Sequence, residues 1–160
     1  TFGEAFVKSQ LGAGTKLPRP FNADGKPSGK VFISVKPSDK ARAVQVAREL
    51  VQQGFSLIAT KGTAAAITAA GVACEPVNKV TEGRPHIVDM LKNNEVVMVI
   101  NTVEERRNAI ADSRHIRTTA LLNRVTTFTT IAGAEAAVEG MKSMNSLDVI
   151  SVQEMHAQLA

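Results

Sequence analysis

The chain has 160 residues, of which 44% are apolar and only 4% aromatic, and its 19 basic and 15 acidic side chains leave a formal net charge of +4. This length is typical of one domain with an aliphatic core, and the small positive surplus falls short of the clustered basic face that nucleic-acid binding requires, so we expect no nucleic-acid partner. A single cysteine, Cys74, excludes an internal disulfide, and the absence of a signal-like or membrane-spanning apolar run predicts a cytoplasmic protein with no membrane contact.

The first 29 residues predict one short helix and a linker. In "TFGEAFVKSQLGAG" the apolar residues have helical spacing until Gly12 and Gly14 end the pattern. The next segment, "TKLPRPFNADGKPSG", holds three prolines and two glycines without periodicity, which is typical of a domain boundary. We therefore predict a tail helix plus linker over residues 1–29 and a main domain over residues 30–160.

Strand-like and helix-like segments alternate from Lys30 onward. The strand-like runs are "KVFISV", "FSLIAT", "VACEPV", "EVVMVI" and "TTFTTI", and "EVVMVI" is apolar on both faces, as an interior parallel strand should be. Helices are predicted after a cap at Ser38, over residues 64–70, around Ile87, over residues 132–142, and as two segments between 104 and 124 that break near Asp112. "DVISV" and "QEMHAQLA" predict a last strand and a helical tail. The alternation indicates an α/β fold with a doubly wound parallel sheet flanked by helices.

Ligands of such a sheet bind beyond the carboxyl ends of the strands. The strand ends "SVKPSDK", "ATKGT", "VNKV" and "VINT" supply hydroxyl, ammonium and amide groups from Ser34, Lys40, Thr60, Thr63, Lys79 and Asn101. This set contains no pair of nucleophile and base, whereas hydroxyls, two lysines and a helix N-terminus suit a phosphate group. Gly62 would let the backbone come close to such a ligand.

Each of these residues also has a plainer interpretation. Thr60 and Thr63 could merely cap a helix while the lysines stay in solvent, and Asn101 could either read a base edge or hold its own turn. For the remaining titratable residues we favour structural or surface roles, since they lack metal-ligand spacing or a partner that would activate them. They are His86, His115, His156 and Cys74, together with Arg106, Arg107, Arg114, Arg117 and Arg124, which we expect on solvated helix faces or a docking surface.

Several longer motifs bear a family resemblance when they are taken together. "VNKVTEGRPHIVDMLKNNEVVMVINT", "ATKGTA", "DSRHIRTTAL" and "VISVQEMHA" resemble the C-terminal regulatory region of the large subunit of carbamoyl phosphate synthetase, a region that is similar to methylglyoxal synthase. The opening helix resembles the end of the preceding carbamate-phosphorylating domain of that subunit. The resemblance covers essentially the whole chain and implies a Rossmann-type, methylglyoxal synthase-like fold with about five parallel strands.

The resemblance also implies a function for the parent protein. Such a synthetase makes carbamoyl phosphate for the pyrimidine and arginine pathways from bicarbonate, glutamine-derived ammonia and ATP, with Mg or Mn and K. The regulatory domain itself is expected to be non-catalytic, to need no cofactor and to bind UMP or IMP as an effector. Its expected partners are the remainder of the large subunit, the glutaminase small subunit and a second copy of itself.

Carried over residue by residue, the family's effector site falls on the strand ends already identified. The phosphate contacts would be Ser34, Lys40, Thr60, Thr63 and Lys79, and the base and ribose contacts would be Val80, Ile87, Asn101 and Ile116. Val103 replaces a common threonine and removes one hydroxyl. Phe128 replaces the aspartate of ornithine-responsive members, although the following Thr129 is preserved, so we predict a weak or absent response to ornithine.

Two other functions are weighed against this one. A methylglyoxal synthase acting on dihydroxyacetone phosphate needs the carboxylate of the family's "GGDQQ", but this chain has "EGRPH", and Arg84 stays protonated and cannot act as a base. An oligomerisation module with a vestigial pocket would show no response to ligands. The effector-binding function rests on the expectation that the crevice contains cations and hydroxyls but no carboxylate able to remove a proton.

Overall fold

The structure of the chain, a computed structural model, describes residues 2–105 and 107–144. Over these residues five strands alternate with helices, and two short 3-10 turns cover Pro37–Asp39 and Val80–Glu82. The strands are β1 Lys30–Ser34, β2 Ser56–Thr60, β3 Glu75–Val77, β4 Val96–Asn101 and β5 Thr126–Phe128. The helices are α1 Phe2–Gly12, α2 Lys40–Gln52, α3 Lys61–Ala69, α4 Ile87–Lys92, α5 Arg107–Leu122 and α6 Ile131–Met144.

The five strands form one parallel sheet in the order β3-β2-β1-β4-β5. The chain adds strands outward from β1 in one direction through β3, and then crosses back to place β4 on the other side of β1. This reversal between β1 and β4 defines a topological switch point, where neighbouring crossovers leave opposite faces and open a crevice at the carboxyl ends. The predicted α/β fold with a doubly wound parallel sheet is confirmed.

Apolar side chains cover both faces of the sheet. Alternate residues of β1 separate into two clusters, because Val31 and Ile33 pack with α1, α2, α3 and α6 while Phe32 packs with α4 and α5. The register shift between Lys30 and Val31 adds one residue to β4 at this point. Both faces are therefore buried, as an all-parallel sheet requires.

Helix α1 packs against α6 at a close approach between two glycines. A side chain at Gly140 would bring its Cβ within 2.5 Å of Val7 and 3.0 Å of the Gly3 carbonyl oxygen, so a larger residue there would force the helices apart. Val7 is fully buried in the same cluster as the sheet, and Leu17 from the linker joins it. In this structure α1 therefore shares the core of the sheet, and the assignment of residues 1–29 to a preceding domain stays a prediction.

Three local expectations were wrong. Helix α5 runs unbroken from Arg107 to Leu122, because Ser113, Ile116 and Ala120 form one continuous buried stripe whose packing outweighs the low helix propensity of Asp112. Helix α3 begins at once after β2, three residues earlier than its alanines indicate. Ser38 does not cap α2, because it lies inside the 3-10 turn.

The predicted last strand and helical tail lie outside the described residues. Within the described part of the chain, none of the helices combines the length and the apolar character needed to cross a membrane.

Candidate functional site

The switch point brings together the ends of the three central strands. Ser34 at the end of β1 pairs in register with Asn101 at the end of β4, and Thr60 ends the neighbouring β2. The amide of Thr102 donates to the Ser34 carbonyl at 3.0 Å, and the amide of Lys36 donates to the Thr102 hydroxyl at 3.0 Å. The polar residues predicted from three of the four strand-end motifs thus meet at one edge of the sheet.

Three hydroxyl groups form a connected cluster beside this edge. Thr60 Oγ1 lies 3.1 Å from Ser34 Oγ and 3.4 Å from Thr63 Oγ1, and Thr63 Oγ1 accepts from the Val35 amide at 3.3 Å. Thr60 and Thr63 are only 5% and 2% exposed, so these hydroxyls are fixed by the fold. Because Thr63 Oγ1 accepts from the Val35 amide, its own proton remains for an acceptor placed beside it.

The same cluster lies at the N-terminus of α3. Thr60 occupies the N-cap position, but its side chain makes no capping hydrogen bond. The first N–H groups of a helix have no intrahelical partner, so those of Lys61, Gly62 and Thr63 point out of the helix end with the positive pole of its dipole. The alternative in which Thr60 merely caps this helix is therefore wrong, because its hydroxyl is directed at Ser34 and Thr63.

Two of the predicted lysines lie at this edge. Lys40, the first residue of α2, places its Nζ 3.3 Å from the position that a Cβ on Gly62 would occupy, so its ammonium group lies directly over the exposed first turn of α3. Lys79 follows β3, and its backbone amide is held by the Glu82 carboxylate at 2.8 Å. The structure therefore brings together Ser34, Lys40, Thr60, Gly62 and Thr63, and Lys79 lines a cleft with Ser34.

A cleft of about 180 Å³ extends from Ser34 and Lys79 toward the first turns of α5. Its remaining lining residues are Val35, Lys36, Pro37, Asn101, Thr102, Val103, Glu104, Ala109, Asp112, Ser113 and Ile116. Two carboxylates, those of Glu104 and Asp112, belong to this lining, so the expectation of a crevice without a carboxylate able to remove a proton stays a prediction. Neither was found from the sequence, since Asp112 was placed at a helix break and not on the inner face of a continuous helix.

The predicted base-side residues divide into two groups. Asn101 and Ile116 line the cleft, and so does Val103. Ile87 is fully buried in the apolar cluster under α4, so it presents no surface to the cleft, and Val80 lies half-buried in the 3-10 turn outside the lining. The structure does not bring Val80 and Ile87 into contact with the space that Asn101 borders.

Arg117 is a functional candidate that the sequence interpretation placed on a solvated helix face. Its Nε donates to Asn101 Oδ1 at 3.0 Å, and its second guanidinium nitrogen donates to the Asn101 carbonyl at 2.7 Å. The amide nitrogen of Asn101 approaches the Ser34 carbonyl at 3.5 Å. Asn101 therefore does not hold its own turn, and it bridges α5 to β1. No motif in the sequence links positions 101 and 117, so only the packing of α5 reveals the pair.

The other titratable candidates have structural positions. His86 is buried at the N-cap of α4, where its Nδ1 accepts from the Asp89 amide and the Asp89 carboxylate accepts from the His86 amide, both at 3.3 Å. Arg84 is exposed and lies 3.8 Å from Asp89. Burial raises the pKa of the Cys74 thiol to about 11, which keeps it protonated and unreactive near neutrality. His115 is exposed on α5, and His156 and Arg106 lie outside the described residues.

No group of histidine, cysteine and acidic side chains suited to a metal ion occurs within residues 2–105 and 107–144.

Phe128 and Thr129 line a second cavity, of about 390 Å³, at the end of β5. Its other lining residues are Gln10, Thr15, Arg117, Leu121, Val125, Thr126 and Thr127. These lining residues include no carboxylate, so nothing in them is able to neutralise an ammonium group. The weak or absent response to ornithine stays a prediction, and this lining is consistent with it.

Comparison with known proteins identifies what the chain is similar to. The family model described as "MGS-like domain" matches residues 42–129. The carbamoyl phosphate synthase large chain of Ralstonia nicotianae is 57% identical over 159 residues, and that of Neisseria meningitidis serogroup A is 46% identical over 159 residues. Each match covers 99% of this chain but only 14% of the relative, so the chain spans about one seventh of the length of these curated relatives.

A solved structure shows the same fold. Methylglyoxal synthase from Elizabethkingia anophelis aligns with a TM-score of 0.55 over 70% of this chain and 78% of its own, at 19% identity. The resemblance predicted from the sequence motifs is thus confirmed at the level of the domain family and of the fold.

Proposed function

Because the chain belongs to the family of MGS-like domains, we propose that it is the effector-binding domain of a carbamoyl phosphate synthase large chain. The effector is a nucleoside monophosphate such as UMP or IMP, which binds in the cleft at the switch point and regulates carbamoyl phosphate synthesis for the pyrimidine and arginine pathways. The remainder of the large chain and the glutaminase small subunit are the partners, and the ATP and the metal ions of the reaction bind elsewhere in the parent protein.

The observation that supports this proposal is the joint position of the hydroxyl cluster, the α3 N-terminus and Lys40. A phosphate monoester carries a charge of about −1.5 to −2 near neutrality. Two lysines together with a helix N-terminus that is equivalent to roughly half a positive charge would neutralise it. The hydroxyls of Ser34 and Thr63 would donate to the phosphate oxygens, and the cleft toward Asn101 and Ile116 leaves room for the base.

Regulation requires no chemistry from this domain. An effector needs to bind two states of the whole synthase with a difference of about 1 to 3 kcal/mol to change its activity by a physiologically useful factor. The proposal therefore assigns the domain a binding role, and the effect on catalysis depends on its contacts with the rest of the large chain.

The direct test is thermal and denaturant unfolding of the 160-residue chain with UMP, IMP and inorganic phosphate. A ligand present at 100 times its dissociation constant stabilises a folded protein by about 2.7 kcal/mol. We expect this stabilisation in the natural chain, its loss in Lys40→Gln, and its retention in Lys8→Gln, a matched control at an exposed lysine of α1. If neither nucleotide nor phosphate stabilises the natural chain, the oligomerisation alternative replaces this proposal.

The two cleft carboxylates give the enzymatic alternative a specific basis. Glu104 and Asp112 border the same space as the proposed effector, so either could act on a bound substrate as a base. Incubating the chain with dihydroxyacetone phosphate and measuring methylglyoxal separates the two functions. We expect no turnover above that of a Lys40→Gln sample, whereas turnover that is lost in Asp112→Asn would make the domain an enzyme.

A further inference from the structure

Arg117 holds Asn101 from outside the lining of the cleft. Asn101 is only 2% exposed and borders the cleft, whereas Arg117 lines the neighbouring cavity that contains Phe128 and Thr129. The two hydrogen bonds, at 3.0 Å to Asn101 Oδ1 and 2.7 Å to its carbonyl, fix both the side chain and the backbone at the end of β4. Because the guanidinium group is planar, these two hydrogen bonds have a fixed direction.

This contact determines which end of the Asn101 amide meets the cleft. A guanidinium group has only donors, so the atom that it faces must be the amide oxygen. The amide nitrogen is then turned toward Ser34, which belongs to the cleft lining. The Ser34 carbonyl oxygen lies 3.5 Å from this nitrogen and accepts at most one of the two amide protons. A flipped amide would place donors against donors at Arg117, which the burial of Asn101 makes costly.

We propose that Arg117 is a positioning residue that makes Asn101 present a hydrogen-bond donor to the base of the effector. The cleft then selects nucleotides whose base offers a ring carbonyl oxygen, such as uracil or hypoxanthine, over those with an exocyclic amino group at the same place, such as cytosine or adenine. The inference rests on the proposed function and adds to it the chemical class of base and the residue that enforces the choice.

The size of the discrimination follows from the burial of Asn101. A carbonyl oxygen completes one hydrogen bond, whereas an amino group brings a donor against a donor and leaves a buried amide proton without a partner. Such a mismatch reduces affinity by about tenfold. The phosphate contacts are the same for both classes of nucleotide, so the ratio of the two affinities isolates the base contact.

The test compares UMP with CMP and IMP with AMP by calorimetric titration at one salt concentration, with inorganic phosphate as a probe of the phosphate site alone. In the natural chain we expect the carbonyl-bearing member of each pair to bind about tenfold more tightly. In Arg117→Gln, whose amide can donate or accept, the ratio should fall to within about twofold while phosphate affinity stays unchanged. Arg114→Gln, one turn earlier on the exposed face of α5, should keep the natural ratio.

A second variant keeps the test decisive if Arg117→Gln does not fold. Asn101→Asp retains an acceptor for Arg117 but removes the donor, so the preference should reverse toward CMP and AMP. Equal binding of UMP and CMP by the natural chain, or an unchanged ratio in Arg117→Gln, would overturn the role of Arg117 and leave the proposed function intact. Failure of the nucleotides and of phosphate to bind at all would overturn both.

Discussion

The two edges of the same parallel sheet are both polar and both contain a cleft, yet they are built differently. At the carboxyl edge, Ser34, Thr60 and Thr63 are connected hydroxyls, and Thr60 and Thr63 are almost completely buried. At the amino edge, a cleft of about 320 Å³ is lined by three cations, Lys16, Arg19 and Arg124, and all three are exposed. The number of positive charges therefore does not distinguish a built anion site from a solvated surface.

The direction of the chain explains the difference. In a parallel sheet the helices begin beyond the carboxyl ends of the strands and end near the amino ends. Helix α3 opens at the hydroxyl cluster with its positive pole, whereas α4 and α5 end at Lys92 and Leu122 beside the amino edge with their negative poles. Cations at the amino edge thus lie near the negative ends of helices, whereas Lys40 at the carboxyl edge lies over the positive N-terminus of α3.

The largest difference in UMP affinity between variants of the two edges is expected when the same Thr→Val substitution is made at each edge. Thr60 ends β2 in the hydroxyl cluster, and Thr126 begins β5, where its hydroxyl donates to the Lys16 carbonyl at 2.6 Å. Replacing either by Val removes one hydroxyl at nearly constant volume and should lower the free energy of unfolding by about 1 kcal/mol. Only Thr60→Val should also weaken UMP binding, by about tenfold, as measured by calorimetry. Equal losses of affinity in both variants would show that the hydroxyl cluster is not part of the binding site.

A smaller effect is expected from closing the space between Lys40 and α3. An added Cβ at Gly62 would lie 3.3 Å from Lys40 Nζ and would displace the ammonium group by a few tenths of an ångström. Gly62→Ala should therefore stabilise α3 by about 0.5 to 1 kcal/mol while UMP affinity falls by about threefold. Gly12→Ala is the matched control, because its Cβ meets nothing within 4 Å. An unchanged affinity in Gly62→Ala would place the phosphate away from this turn.

The smallest effect is expected from removing the charges of the amino edge. The triple replacement of Lys16, Arg19 and Arg124 by Gln eliminates three of the positive charges, but these exposed groups act on the other edge only through screened, long-range fields. UMP affinity at physiological salt should change by no more than about twofold, by calorimetric titration. A loss as large as that in Lys40→Gln would mean that general attraction, and not the carboxyl edge, holds the nucleotide.

The fold was predictable because it is encoded in local periodicity. Each of β1, β2, β3, β4 and β5 was recognised from a short β-branched or apolar run, and the parallel order of the sheet leaves few alternatives once strands and helices alternate. The errors concern element boundaries. Asp112 predicts a helix break, yet α5 continues through it because one face of that helix is continuously buried. The alanines of α3 predict a later helix start than the structure has.

The candidate site was predictable only in part. Residues that end a strand, such as Ser34, Thr60 and Asn101, could be placed because parallel strands bring their carboxyl ends to one edge. Ile87, expected in the cleft, is enclosed under α4, while Arg117, Glu104 and Asp112 entered the site without any sequence signal. Side-chain direction around a helix depends on how that helix packs on the sheet, which spacing along the chain does not specify.

By itself the sequence determined the alternation of strands and helices, the aliphatic core and the chemical character of the strand ends, because each depends on residues that are neighbours along the chain. Tertiary structure alone decided that Arg117 fixes the Asn101 amide, that two carboxylates share the cleft with Lys79, and that Thr60 bonds to Ser34 and does not cap α3. These contacts join positions far apart in the chain, so they exist only after the helices have packed on the sheet and fixed the direction of each side chain.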